Sequence, residues 1–150
     1  MSHASPVTLE RASYVASIWL ADVAREFPTD DMHFVQRVTR AWLHVVRDRL
    51  PLIESVHLGA QLPEFLRGIY YEGWDPTNVP IKFDRDQLVE RFATEAGIAA
   101  ADVHKCAGAV SAAFDHRTGG HITVVLERFP ADVQEVLRPS SAAYTPTPSP

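Results

Sequence analysis

His57-Leu58-Gly59-Ala60-Gln61-Leu62-Pro63-Glu64-Phe65-Leu66-Arg67-Gly68-Ile69-Tyr70-Tyr71-Glu72-Gly73-Trp74 holds the end of one helix, the start of another and an aromatic cluster with little filler between them. Pro63 is expected at the first helical position, which needs no backbone donor. Downstream, Phe65, Leu66, Ile69 and Tyr70 recur at helical spacing and supply the buried side of that helix. Upstream, Pro51 opens a short helix carrying Leu52, Ile53 and Val56. Two short helices meeting at a proline therefore make a helical fold the natural reading.

Two longer helices precede this pair. Leu9, Ala12, Ala16, Trp19, Leu20, Val23 and Phe27 form one stripe of a helix that starts near Thr8 and ends at Pro28. Thr29 is the expected N-cap of the second, with Asp30 and Asp31 in its first turn and Val35, Val38, Trp42 and Val45 on its apolar face. Residues 72–83 then gather Gly73, Asp75, Pro76, Asn78 and Pro80, the composition of a connector.

Beyond the connector the order long, long, short, short begins again. Asp84-Arg85-Asp86-Gln87 reads as a capping box leading into Leu88, Val89 and Phe92, with Gly97 as the stop. Val103, Ala107, Val110 and Phe114 mark a sixth helix, and Gly119-Gly120 a turn. Ile122, Val125 and Leu126 mark a seventh helix, and Pro130 opens an eighth with Val133, Val136 and Leu137. Leu20 to Glu26 overlays Val89 to Glu95, and Leu62-Pro63 overlays Phe129-Pro130, a pattern of internal duplication. The expected fold is all-α: duplicated four-helix units forming a compact eight-helix domain about a pseudo-twofold axis. In that organisation residues 1–7 form a disordered start, 8–138 one domain (repeat one 8–71, connector 72–83, repeat two 84–138) and 139–150 a disordered proline-rich tail.

Length and composition agree. The chain's 150 residues, 46% of them hydrophobic, suffice for a single core without disulfides. The single cysteine, Cys106, fits a reducing compartment, so a cytoplasmic location is expected. No apolar run approaches the roughly 20 residues that cross a bilayer. Residues 1–6 lack both the basic and the apolar region of a signal peptide, so the chain is expected to be soluble and unprocessed. A net charge of −5 argues against attraction to phosphate backbones. Neither a membrane nor a nucleic acid is an expected partner.

With the duplicated halves and the 57–74 motif in view, the chain resembles the bacterial family catalogued as domain of unknown function 2267. The resemblance rests on His57, Leu58, Ala60, Gln61, Leu62 and Pro63, then on Leu66, Arg67, Gly68, Tyr70, Tyr71, Glu72, Gly73 and Trp74. It covers roughly residues 19–137 and implies a small all-helical bacterial protein, with no implication for substrate. The second half departs from the motif: Arg128-Phe129-Pro130 stands where Gln-Leu-Pro is expected, and Gln134 replaces the motif arginine. A functional surface is therefore expected on one side only.

Several constellations qualify as sites. His57, Gln61, Arg67, Tyr70, Tyr71 and Trp74 are the candidate interaction surface, since Tyr and Trp bury large area at low entropic cost, although Tyr70, Tyr71 and Trp74 are more readily read as covering the connector within the monomer. Arg67 is its best polar candidate, the competing role being a salt bridge to Glu64 or Glu72. His57 and Gln61 alternatively satisfy backbone groups at the break before Pro63. Arg37, Arg40, His44 and Arg47 recur at steps of three and four and form a basic stripe on the second helix, either a receiver of anions or a solvated face opposite the core.

Glu54 and His57 make one Glu-x-x-His step, but a carboxylate-bridged metal centre needs a second, which the other half lacks; no metal and no cofactor is expected. Cys106 and His104 diverge on a helix, there is no Gly-x-Ser-x-Gly elbow, and Gly119-Gly120 lacks the Gly-Lys-Ser/Thr ending of a phosphate loop. No catalytic residue is assigned. The favoured reading is a non-catalytic interaction or regulatory module acting through the 57–74 face on another protein or on itself. The competing class is a small-ligand or metal-binding protein, or an enzyme, with its site between the halves.

Overall fold

A computed structural model describes residues 6–140, and among them the secondary structure is wholly helical. Eight α-helices follow in chain order: α1 (Pro6–Arg25), α2 (Met32–Arg49), α3 (Leu52–Ala60), α4 (Glu64–Tyr71), α5 (Arg85–Ala96), α6 (Val103–Arg117), α7 (His121–Leu126) and α8 (Ala131–Leu137). No helix among the described residues is long and apolar enough to cross a membrane. Of the expected terminal segments 1–7 and 139–150, residues 1–5 and 141–150 lie outside the described residues.

Local chemistry explains the boundaries, with small displacements from the sequence reading. Helix α1 begins at Pro6, two residues before Thr8, because the N–H that proline lacks would have no helical partner there. The N-cap of α2 is Asp31 and not Thr29: its carboxylate accepts from the N–H groups of His33 (3.1 Å) and Phe34 (3.2 Å). The Thr29 hydroxyl instead accepts from Asp31 N–H at 3.0 Å. A charged acceptor facing the positive end of the helix outcompetes the neutral hydroxyl. Pro51, Pro63 and Pro130 each stand one residue earlier than expected, as N-caps with extended ψ. Their carbonyls accept the first helical bonds, from Ser55, Arg67 and Gln134 at 2.8–2.9 Å.

The capping box before α5 forms as read, Asp84 Oδ1 and Gln87 Oε1 each accepting the other's backbone N–H at 2.9 Å. Gly97 ends α5 at φ +69°, in the left-handed region that favours glycine. At the other end, the N–H of Ser140 donates to the Gly108 carbonyl at 3.1 Å. A Cβ on Gly108 would stand 2.8 Å from the Arg138 carbonyl, so this glycine lets residues 138–140 cross α6 closely.

The core runs through both halves. Trp42, wholly buried on α2, meets Phe114 of α6 edge-on at 5.3 Å, and Trp19 of α1 meets the same ring at 5.1 Å. The Trp42 indole N–H donates to Ser111 Oγ at 2.9 Å, which satisfies two buried polar groups at once. Helix α2 packs on α1, α4, α5 and α6, and so makes more inter-helix contact than any other helix.

Two apolar expectations fail, and α3 divides its apolar residues between two sides. Leu9 is 56% exposed, and α1 is covered fully only from Ala16 onward. Phe65 is 46% exposed. In α3 the inward residues are Ser55, Leu58 and Gly59, while Leu52, Ile53 and Val56 point outward.

Candidate functional site

The 57–74 stretch is knotted together by contacts among its own residues. Tyr70, wholly buried, donates its hydroxyl to the Ser55 carbonyl at 2.8 Å, and burial raises the phenol above its ordinary 10.0. Tyr71 packs edge-on to Tyr70 at 5.0 Å and tilts against Trp74 at 5.2 Å. Its ring lies over Gly59, where a Cβ would come within 2.8 Å of Cζ. The Arg67 guanidinium reaches neither Glu64 nor Glu72. It donates to the carbonyls of Gly59 (3.1 Å) and Leu62 (2.8 Å), groups left over where α3 stops. The role considered for His57 and Gln61 at this break is thus filled by Arg67, and by the Gln61 backbone N–H, which donates to Leu58 O at 2.9 Å.

The stripe on α2 has the same use. Arg37 Nε donates to the Ala96 carbonyl at 3.1 Å, at the last residue of α5. The His44 Nε2 donates to the Ile69 carbonyl at 2.8 Å, while Nδ1 lies 2.5 Å from Glu95 Oε1. Arg47, only 5% exposed, donates from Nη1 to the carbonyls of Tyr70 (3.0 Å) and Glu72 (2.7 Å) and from Nε to Asp48 at 2.8 Å. Arg40 pairs with the Glu72 carboxylate at 2.6 Å. Cations are favoured at helix C-termini, where unpaired carbonyls and the macrodipole concentrate negative charge. Arg37, His44 and Arg47 therefore bind α2 to the ends of α4 and α5, while Arg40, its side chain 41% exposed, engages Glu72 with only part of its guanidinium.

The six residues expected to share an interaction surface are consequently divided. Tyr70 is wholly buried, Tyr71 and Trp74 are half-buried in their own stack, and Arg67 is committed to the α3 terminus. His57 and Gln61 are exposed; His57 borders Leu52, Ile53, Val56 and Ala60 on the outward side of α3, and Gln61 caps the C-terminal end. Leu52, Ile53, Val56 and Ala60 form an apolar strip with no Asp, Glu, Lys or Arg within it, the Glu54–Arg128 pair lying further round the helix. The corresponding helix of the second half, α7, presents Thr123 and Val124, followed by Glu127 and Arg128.

Other candidates resolve individually. Glu54 faces Arg128 at 3.4 Å. Among the described residues no group of three or more His, Cys, Asp or Glu is arranged to hold a metal ion. Cys106 is fully buried, and burial pushes its thiol up to about 12. His104 Nδ1 lies 3.1 Å from the Val136 carbonyl. A groove of about 520 Å³ runs along the junction of α2 and α5, with His44, Asp48, Glu90, Arg91 and Glu95 on its walls. Several of these side chains are already engaged: His44 with Glu95, Asp48 with Arg47, and Arg91 over the Phe83 ring at 4.8 Å. Sequence reading also missed Asp22, buried on α1 between Arg25 and Arg117; the α6 partner lies far along the chain and leaves no local signal.

Fold and site together define an all-helical domain in which a long-long-short-short order occurs twice and the charged residues of the central helix serve helix ends. Over residues 16–136 the chain matches the family described as uncharacterized conserved protein (DUF2267), and it belongs to that family. No curated protein matches it.

Proposed function

We propose that the protein is a non-catalytic association module whose contact surface is the outer face of α3 and whose partner is a second copy of the chain. One observation carries this reading: Leu52, Ile53 and Val56 are 42%, 61% and 43% exposed on a single short helix. Scattered exposed apolar residues are ordinary, whereas contiguous ones rimmed by polar groups mark contact surfaces. His57 and Gln61, both members of the 57–74 motif, supply such a rim.

The chemistry of the face favours self-association. The whole chain has a net charge of −5, which sets copies against one another, but the strip of Leu52, Ile53, Val56 and Ala60 bears no formal charge. A face meeting itself across a twofold axis is self-complementary. A nine-residue helix is only about 14 Å long, and its face falls well short of the roughly 800 Å² per partner of a standard interface. Association is therefore weak and concentration-dependent.

Sedimentation velocity over a concentration series tests the reading. The wild type is expected to sediment faster as concentration rises, and Ile53→Glu to remain monomeric. A wild type that is monomeric at every concentration overturns the proposal, as does an Ile53→Glu chain that associates equally well.

A further inference from the structure

A second cavity, of about 200 Å³, lies between α1, α2 and α4, away from the outer face of α3. Leu20, Phe65 and Ile69 line it with apolar surface, while α2 contributes Gln36, Thr39 and Arg40. These three stand at positions i, i+3 and i+4 and so share one helix face. Thr39 is only 2% exposed, and its hydroxyl has no hydrogen-bond partner. Burying a hydroxyl without a partner is unfavourable, and buried polar groups in native proteins are overwhelmingly satisfied. The Arg40 guanidinium has its Nη1 on Glu72 at 2.6 Å and a side chain 41% exposed, so further donors on the fork are open to a second acceptor.

We infer that this cavity is a binding site for a small amphipathic monocarboxylate, its apolar body against Leu20, Phe65 and Ile69 and its carboxylate at Thr39, Gln36 and Arg40. All three side chains donate hydrogen bonds, and two of them carry no charge to repel an anion. The size sets an upper limit on the body. Aliphatic-lined cavities of roughly 150 Å³ accept benzene, whereas drug-sized ligands occupy about 300–1,000 Å³. The occupant is thus a short acyl chain or a single ring.

The test titrates the full chain with hexanoate and with benzoate, following backbone amide shifts by two-dimensional NMR, with 1-hexanol as the uncharged control. Saturable shifts at Leu20, Thr39 and Ile69 are expected with at least one of the two acids. Thr39→Val, which keeps the shape and removes the hydroxyl, is expected to weaken binding about tenfold, and Arg40→Gln by a similar factor. Because Thr39→Val removes only an unpartnered group, it folds and gives an interpretable result. No saturable shift with either acid overturns the assignment, leaving the Thr39 hydroxyl to ordered water. Equal binding of 1-hexanol, or unchanged affinity in both variants, overturns it in favour of a purely apolar cavity.

Discussion

Tyr71 lies across Gly59, so closely that a Cβ at position 59 would stand 2.8 Å from its Cζ. The ring cannot retreat freely, because Tyr70 packs on it at 5.0 Å and Trp74 at 5.2 Å. The glycine ends one helix while the two tyrosines end the next, and their contact closes the α3–α4 turn together with the Arg67 hydrogen bonds.

Gly59→Ala is therefore expected to destabilise the fold by about 1–3 kcal/mol, the usual range for overpacking a tight contact. The change runs against helix propensity, which favours Ala over Gly by about 1 kcal/mol at an exposed helical site. Urea unfolding followed by tryptophan fluorescence reads both quantities, since displacing Tyr71 also alters the surroundings of Trp74. A variant as stable as wild type would remove the contact from the account.

Arg47 and Arg40 lie on one helix, yet their losses should differ greatly. Arg47→Met leaves the Tyr70 carbonyl and the Asp48 carboxylate short of their partner in the interior, at an expected cost of about 3–5 kcal/mol. Arg40→Gln breaks an ion pair whose side chains are 41% and 61% exposed, a change worth under about 1 kcal/mol. Chemical denaturation of the two variants side by side measures the difference. Equal small losses would return the stripe to the solvated role that its spacing first suggested.

Cys106 provides a pH test. Burial lifts its thiol from an ordinary 9.0 to about 12, so the folded chain holds the proton more tightly than the unfolded chain. This contribution to stability is complete below 9.0 and is lost as pH rises from there toward about 12; the buried Tyr70 phenol, also raised, acts in the same direction. Melting temperatures in Cys106→Ala should fall less steeply over that alkaline range than in wild type. At neutral pH a thiol reagent should modify wild-type Cys106 only as fast as the chain unfolds.

The parts of the fold that were legible in the sequence are those set by neighbours a few residues apart. The capping box at Asp84 and Gln87 and the stop at Gly97 are local geometries, and they stand where they were read. Thr29 and Asp31 both suit an N-cap, and only the observed start of α2 separates them. Periodicity gives α3 no single inward face, because its apolar residues lie on both sides. Leu58 and the small Ser55 and Gly59 took the interior, because Tyr70 and Tyr71 approach too closely for larger residues, and so Leu52, Ile53 and Val56 remained outside. The cations of α2 were unreadable for another reason: their carbonyl partners lie 23 to 59 residues further along the chain.

The association surface is tested most directly by amide NMR spectra recorded on dilution of the wild-type chain. The account predicts shifts concentrated at residues 52–61, with the amides of α7 and of the α2–α5 groove unmoved. Spectra that do not change with concentration, or shifts centred on any other helix, would contradict it.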